Sequence, residues 1–109
     1  MVRPRKFEIS QPDGRSLSIA GELDMGTVLL LSERVDDQLR SGAADLILDL
    51  RELSFMDSSG LRLLIELHDR SRTEGWDLRL IAPRNEAALL VLRATGADTA
   101  LPFQDGPAS

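Results

Sequence analysis

Asp45-Leu-Ile-Leu-Asp-Leu-Arg-Glu-Leu-Ser-Phe-Met-Asp-Ser-Ser-Gly60 is the stretch on which the fold turns. Its first six residues form a short, nearly continuous apolar run, the pattern of a strand buried on both faces of a sheet. After a connection over Arg51 to Asp57, residues Ser58 to about Thr73 carry a helical pattern. Leu61, Leu64 and Ile65 lie on one side and Arg62, Glu66, Asp69 and Arg70 on the other, with Glu66 and Arg70 spaced as an i,i+4 ion pair. A central strand therefore feeds directly into an amphipathic helix, the elementary unit of a parallel crossover.

Working outward, Phe7 to Ser10 and Ser16 to Ala20 are short segments of alternating polarity around Gln11-Pro-Asp-Gly-Arg15, and they read as a β-hairpin. From Gly26 to Arg40, Val28, Leu31, Val35 and Leu39 make one helical stripe that stops at Ser41-Gly42. Gly75 ends the second helix, Asp77 to Ile81 reads as a strand, and Asn85 to Thr95 as a third helix capped by Gly96. In that third helix Ala87, Leu90, Val91 and Ala94 are expected inward. Leu29 and Leu30 in the first helix, and Leu89 and Leu92 in the third, fall off the main stripes and read first as tolerated or loop-covered, second as a contact surface. Leu101 to Phe103 fits a last short strand. The expected fold is α/β: one domain with a mixed sheet, opening on an antiparallel hairpin and continuing in parallel strands, packed by about three helices. Its core runs over about 7–103, with tails at 1–6 and 104–109.

The 109 residues suit a single core, and no apolar run is long enough to cross a membrane. The basic start from Met1 to Lys6 is followed by Phe7-Glu-Ile-Ser10 where an export signal needs an apolar stretch, so no signal is read and a cytoplasmic location is expected. A formal charge of −5 argues against a nucleic-acid partner, and Arg3, Arg5 and Lys6 read as a solvated tail. The absence of cysteine removes disulfides, thiolate metal sites and thiol chemistry together. No metal-ligand spacing and no glycine-rich phosphate loop is present, so no metal and no cofactor are expected. His68 reads as a hydrogen-bonded histidine at the edge of the core, and Trp76 as an aromatic capping it.

Asp57-Ser-Ser-Gly60 is the densest polar cluster at a structural junction. On residue types alone it fits first an ordinary helix cap with a glycine for a tight turn, and second a turn that presents a hydroxyl outward. A serine hydrolase built on Ser58 or Ser59 would need a base. His68, ten residues along the same helix, stands roughly 15 Å away.

Gly21-Glu-Leu-Asp24, then Leu48 through Leu61 with Phe55-Met-Asp-Ser-Ser-Gly60 at its centre, then Leu92-Arg-Ala-Thr-Gly96, resemble in order and spacing the landmarks of the STAS domain. This domain is shared by sulphate transporters and anti-sigma factor antagonists, and the resemblance runs from about Phe7 to Phe103. For an antagonist it implies a partner-switching cycle. The unmodified protein binds an anti-sigma factor that is also a serine kinase and supplies ATP, sigma is released, and phosphorylation ends the binding until a PP2C-type phosphatase reverses it. Ser58 matches the phosphoacceptor. Asp24 matches an acidic residue near it, Asp57 the residue before it, and Ser59 a second hydroxyl position; Gly60 completes the motif. Arg62 departs from the family in standing where many relatives have a small residue, which implies an altered partner preference. The chain also stops soon after Phe103, where many relatives continue into another helix. The implied protein is no enzyme, and a monomer or weak dimer. The second reading that the resemblance allows is a STAS subunit of a transporter or stress-signalling scaffold, binding partners without phosphorylation.

Overall fold

In the computed structural model, which describes residues 7–104, the chain runs β1 (Phe7–Asp13), β2 (Ser16–Leu23), α1 (Val28–Arg40), β3 (Asp45–Met56), α2 (Ser58–Glu74), β4 (Asp77–Ile81), α3 (Glu86–Thr95) and α4 (Ala97–Ala100). Of the expected tails at 1–6 and 104–109, all but Gln104 lie outside the described residues. One sheet has the order β1-β2-β3-β4, with β1 antiparallel to β2 and the other neighbours parallel. Asp13 pairs with Ser16 at the hairpin end, and its carboxylate accepts a hydrogen bond from the Arg15 N–H at 2.8 Å. Both hairpin strands are longer than their alternation suggests. The register of β1 shifts between Ser10 and Asp13, where Pro12 is tolerated because β1 is an edge strand.

The central strand differs from expectation in two ways. It is buried on one face, not both: Leu46, Leu48 and Leu50 have no exposure, whereas Asp45, Ile47 and Asp49 between them are half-buried. It also continues through the presumed connection as far as Met56. Beyond Leu50 the inward residues are Leu53 and Met56, so their spacing changes from two to three. The cause is visible in the pairing, since β3 carries one more residue than β2 between the pairs Ser18–Asp49 and Ala20–Glu52, and again between Gly21–Leu53 and Glu22–Phe55. Each bulge absorbs a residue and keeps the apolar side inward. Opposite them Gly21 takes φ 101°, a conformation that side-chain-bearing residues avoid.

The crossovers β2-α1-β3 and β3-α2-β4 advance in the same direction across the sheet, and the right-handed rule places α1 and α2 on the same face. Leu31 and Val35 of α1 and Leu61, Leu64 and Leu67 of α2 join the leucines of the sheet in one core. Ile65, expected inward, is 43% exposed, and Leu63 is buried in its place. Arg70 pairs not with Glu66 but with Glu74 at 3.1 Å and with Asp36 of α1 at 2.9 Å, tying the two helices together. The helix ends where expected, on Gly75 at φ 81°. Trp76 is buried behind it, its indole N–H donating to Glu74 at 3.0 Å.

In α3 the inward face is Ala88 and Leu92, supported by Val91, while Leu90 is 64% exposed and Ala87 and Ala94 face solvent. The expected face was out of phase because Ala87-Ala-Leu-Leu-Val-Leu92 is apolar throughout and fixes no direction. Gly96 caps α3 and opens α4, a single turn not foreseen. The expected last strand reduces to one parallel bridge between Phe103 and Leu80 on the free side of β4. Among the described residues no helix is long and apolar enough to cross a membrane.

Candidate functional site

The parallel pairing of β2 and β3 ends on Leu23 opposite Met56, so Asp24 and Asp57 leave neighbouring strand ends side by side, and the Asp57 N–H donates to the Leu23 carbonyl at 3.3 Å. Asp57 then starts a helix, and Asp24 shapes the turn that leads into another. The Asp24 carboxylate accepts from the Gly26 N–H at 2.9 Å. The Thr27 hydroxyl accepts from the Asp24 N–H at 2.9 Å and donates to the Glu22 carbonyl at 2.8 Å. This network turns the chain from β2 into α1. Asp57 is the N-cap of α2, one carboxylate oxygen accepting from Ser59 N–H at 2.8 Å and Gly60 N–H at 3.1 Å.

Capping by Asp57 decides the character of the serine pair. A helix start needs one side-chain acceptor, and the aspartate supplies it, so neither hydroxyl is used as the cap. Ser58, the first helical residue, is exposed; Ser59 is half-buried. Gly60 is buried, and a Cβ there would stand 2.7 Å from the Leu23 carbonyl oxygen, 2.8 Å from Met56 Cγ and 2.9 Å from Leu23 Cγ. It lets α2 rest directly on the ends of β2 and β3, which holds Ser58 at the rim.

Ser58, Ser59 and the exposed Arg62 line a groove of about 370 Å³ between α1 and α2, with Leu63 and Glu66 further along α2 and Val28, Leu29 and Ser32 on the α1 wall. Of the residues expected at the site, Ser58, Ser59 and Arg62 share this groove; Asp24, Asp57 and Gly60 do not line it and instead shape the turns and the packing that lead into α1 and α2. The α1 wall was not assigned to the site from sequence. Leu29, 67% exposed, carried the one usable signal, an apolar residue off its helix's buried stripe. Which helix would face it across the groove is a matter of packing and leaves no trace in local periodicity. His68 lines a different depression with Leu61, Ile65 and Leu101, and no ring hydrogen bond is formed among the described residues, contrary to the expected hydrogen-bonded edge histidine. Among the described residues no group of His, Asp or Glu is arranged to hold a metal ion.

Several solved structures share this architecture. An anti-sigma factor antagonist from Mycobacterium paratuberculosis superposes with a TM-score of 0.74 at 23% identity, covering 94% of this chain and 86% of that one. The anti-sigma factor antagonist SpoIIAA in its unphosphorylated form gives 0.69 at 23% identity, with 92% and 87% covered. The phosphorylated form of SpoIIAA, described as a Bacillus cell fate determinant, gives 0.64 at 21% identity, with 92% and 90% covered. At these identities the likeness is one of fold. The family itself is fixed by sequence: the STAS domain family model matches residues 7–107, nearly the full length, and the chain belongs to that family.

Proposed function

We propose that this protein is an anti-sigma factor antagonist whose unmodified form binds a serine-kinase anti-sigma factor in the cytoplasm, thereby releasing sigma, and whose phosphorylation on Ser58 ends that binding. The observation that carries this reading is that Ser58 is exposed at the first position of α2 while Asp57 already caps the helix. The hydroxyl is left for an intermolecular role. Its surroundings support display over catalysis of the serine-histidine type, since Ser58 and His68 line separate depressions. In the transfer, a bond forms between Ser58 Oγ and the γ-phosphorus of ATP, the bond to the bridging oxygen breaks, ADP leaves, and the hydroxyl proton passes to a base of the kinase. The product carries about −1.5 to −2 charges on a surface that was neutral at that point. Against a partner that buries the serine, like charge and desolvation cost several kcal/mol, and about 4 kcal/mol is nearly a thousandfold in affinity. A PP2C-type phosphatase returns the domain to its binding form.

Incubation with ATP and purified candidate anti-sigma kinases, followed by peptide mass spectrometry and calorimetry, tests this. The modification is expected on Ser58, with loss of binding. Ser58→Ala should bind persistently, Ser58→Asp should imitate the phosphate incompletely with its single charge, and Ser59→Ala should still be modified. Modification of Ser59, or equal binding by modified and unmodified protein, would overturn the reading.

A further inference from the structure

A phosphate on Ser58 would stand at the positive end of α2 but with carboxylates near it. Glu66 lines the same groove and Asp57 immediately precedes Ser58, while among the described residues the α1 wall, Val28, Leu29 and Ser32, contributes no charged group. Two of the amides that a phosphate at a helix start would ordinarily use are already engaged, because Asp57 takes the N–H groups of both Ser59 and Gly60. The groove holds one cation. Arg62 lies four residues after Ser58 on the same side of α2 and lines the same groove, and among the described residues it enters no ion pair. Side chains four apart on a helix have Cβ atoms about 5–6 Å apart, and an arginine fork spans that gap to a phosphate bidentately.

Resting on the reading of Ser58 as the modified residue, we infer that Arg62 is a positioning residue that holds the Ser58 phosphate in cis once phosphoryl transfer from ATP has formed it and released ADP. The pair draws the phosphate down along α2 and offsets the carboxylates around it. The phosphorylated surface therefore has a defined shape as well as an added charge, and it is this held form that a phosphatase must engage.

The test uses the full chain with phosphoserine installed at position 58 during translation, so that it does not depend on any kinase. The second ionisation of a phosphoserine lies near 6, and an adjacent guanidinium favours the dianion. Titration followed by phosphorus NMR is expected to place that ionisation about half a pH unit lower, roughly threefold in proton affinity, in the native background than in Arg62→Gln. Arg62→Lys should restore part of the difference, and Arg72→Gln, removing another unpaired cation of α2 far from Ser58, should leave the curve unmoved. Coincident curves for native and Arg62→Gln proteins, or an equal shift in Arg72→Gln, would overturn the inference. A kinase that modifies Ser59 would instead refute the assignment of the acceptor and leave this titration unchanged.

Discussion

Replacing Gly60 by alanine adds one methyl group at the point where α2 meets the sheet, and its effect can be reasoned from three distances. The new Cβ would lie 2.7 Å from the Leu23 carbonyl oxygen, 2.8 Å from Met56 Cγ and 2.9 Å from Leu23 Cγ, all closer than real contacts allow. The methionine can swing away, but the carbonyl belongs to the backbone of β2 and also accepts the Asp57 N–H, so it moves only with the strand end. Overpacking of this kind costs about 1–3 kcal/mol, while alanine in place of glycine within a helix returns up to about 1 kcal/mol. With the rigid partner, the cost belongs near the top of its range, and a net loss of about 1–2 kcal/mol is expected. For a domain of this size that lowers Tm by roughly 5–15 °C. Urea and thermal unfolding measure it, with Gly14→Ala as the control: a Cβ at Gly14 meets nothing within 4 Å and its φ is not positive, so that variant should match or exceed the native stability. A Gly60→Ala protein as stable as the native one would refute the argument that Gly60 exists for close packing of α2 against β2 and β3.

Leu29 and Leu30 make a second test, because they are adjacent, 67% and 51% exposed, and point to different surfaces: Leu29 to the groove of Ser58, Leu30 to a depression beside Phe7 and Ile9. Leu29→Ser should weaken partner binding by about 1–3 kcal/mol in calorimetry with an unchanged far-UV spectrum, and Leu30→Ser should leave it intact; loss of folding in either would make that leucine part of the core. Acid sensitivity tests the outer face of the sheet, where hydrogen bonding to Arg51 holds the Asp49 carboxyl below the usual aspartate range despite partial burial. A depressed folded pKa contributes stability in full above the unfolded value near 3.9 and loses it as pH falls through the folded value. Asp49→Asn should therefore flatten the acid limb of urea midpoints below about pH 4, by under about 1 kcal/mol for a pair that water still reaches, and identical limbs would exclude the pair as a contributor.

Where local chemistry determines structure, the sequence was legible. The hairpin, the stripe of Leu31 and Val35, and the glycine stops at Gly75 and Gly96 follow from turn chemistry, helical period and the left-handed cap, and each lies where those rules put it. The misplacements share a different origin. Strand β3 was cut short at Leu50 because its apolar spacing changes from two to three at each bulge, and an irregular spacing flanked by Arg51 and Glu52 resembles a loop. Helix α3 was turned the wrong way because an all-apolar run has no phase, and Arg70 chose Asp36 on another helix over the nearer Glu66. The site divides in the same manner. Its α2 side, Asp57 to Arg62, is contiguous and was read directly, whereas the wall of Val28, Leu29 and Ser32 comes from tertiary packing.

The irregularity that hid the end of β3 is also what builds the site. A parallel pair without bulges would match the eight residues of β2 to eight of β3, and the strand would not reach Met56. Two extra residues carry it on without turning Leu53 and Met56 outward, and bring Met56 level with Leu23. Asp24 and Asp57 then emerge together, one in the turn into α1 and the other as the cap of α2, and the two helices rise from adjacent strand ends with the groove between them. In this arrangement the residues that form the junction, Gly21, Asp57 and Gly60, are distinct from the residues displayed on it, Ser58, Leu29 and Arg62. Perturbing the first group moves the strand ends and should reduce stability and binding together. Perturbing the second should change only what the groove presents, so that under the proposed function binding and its control by charge would vary while the domain stays folded.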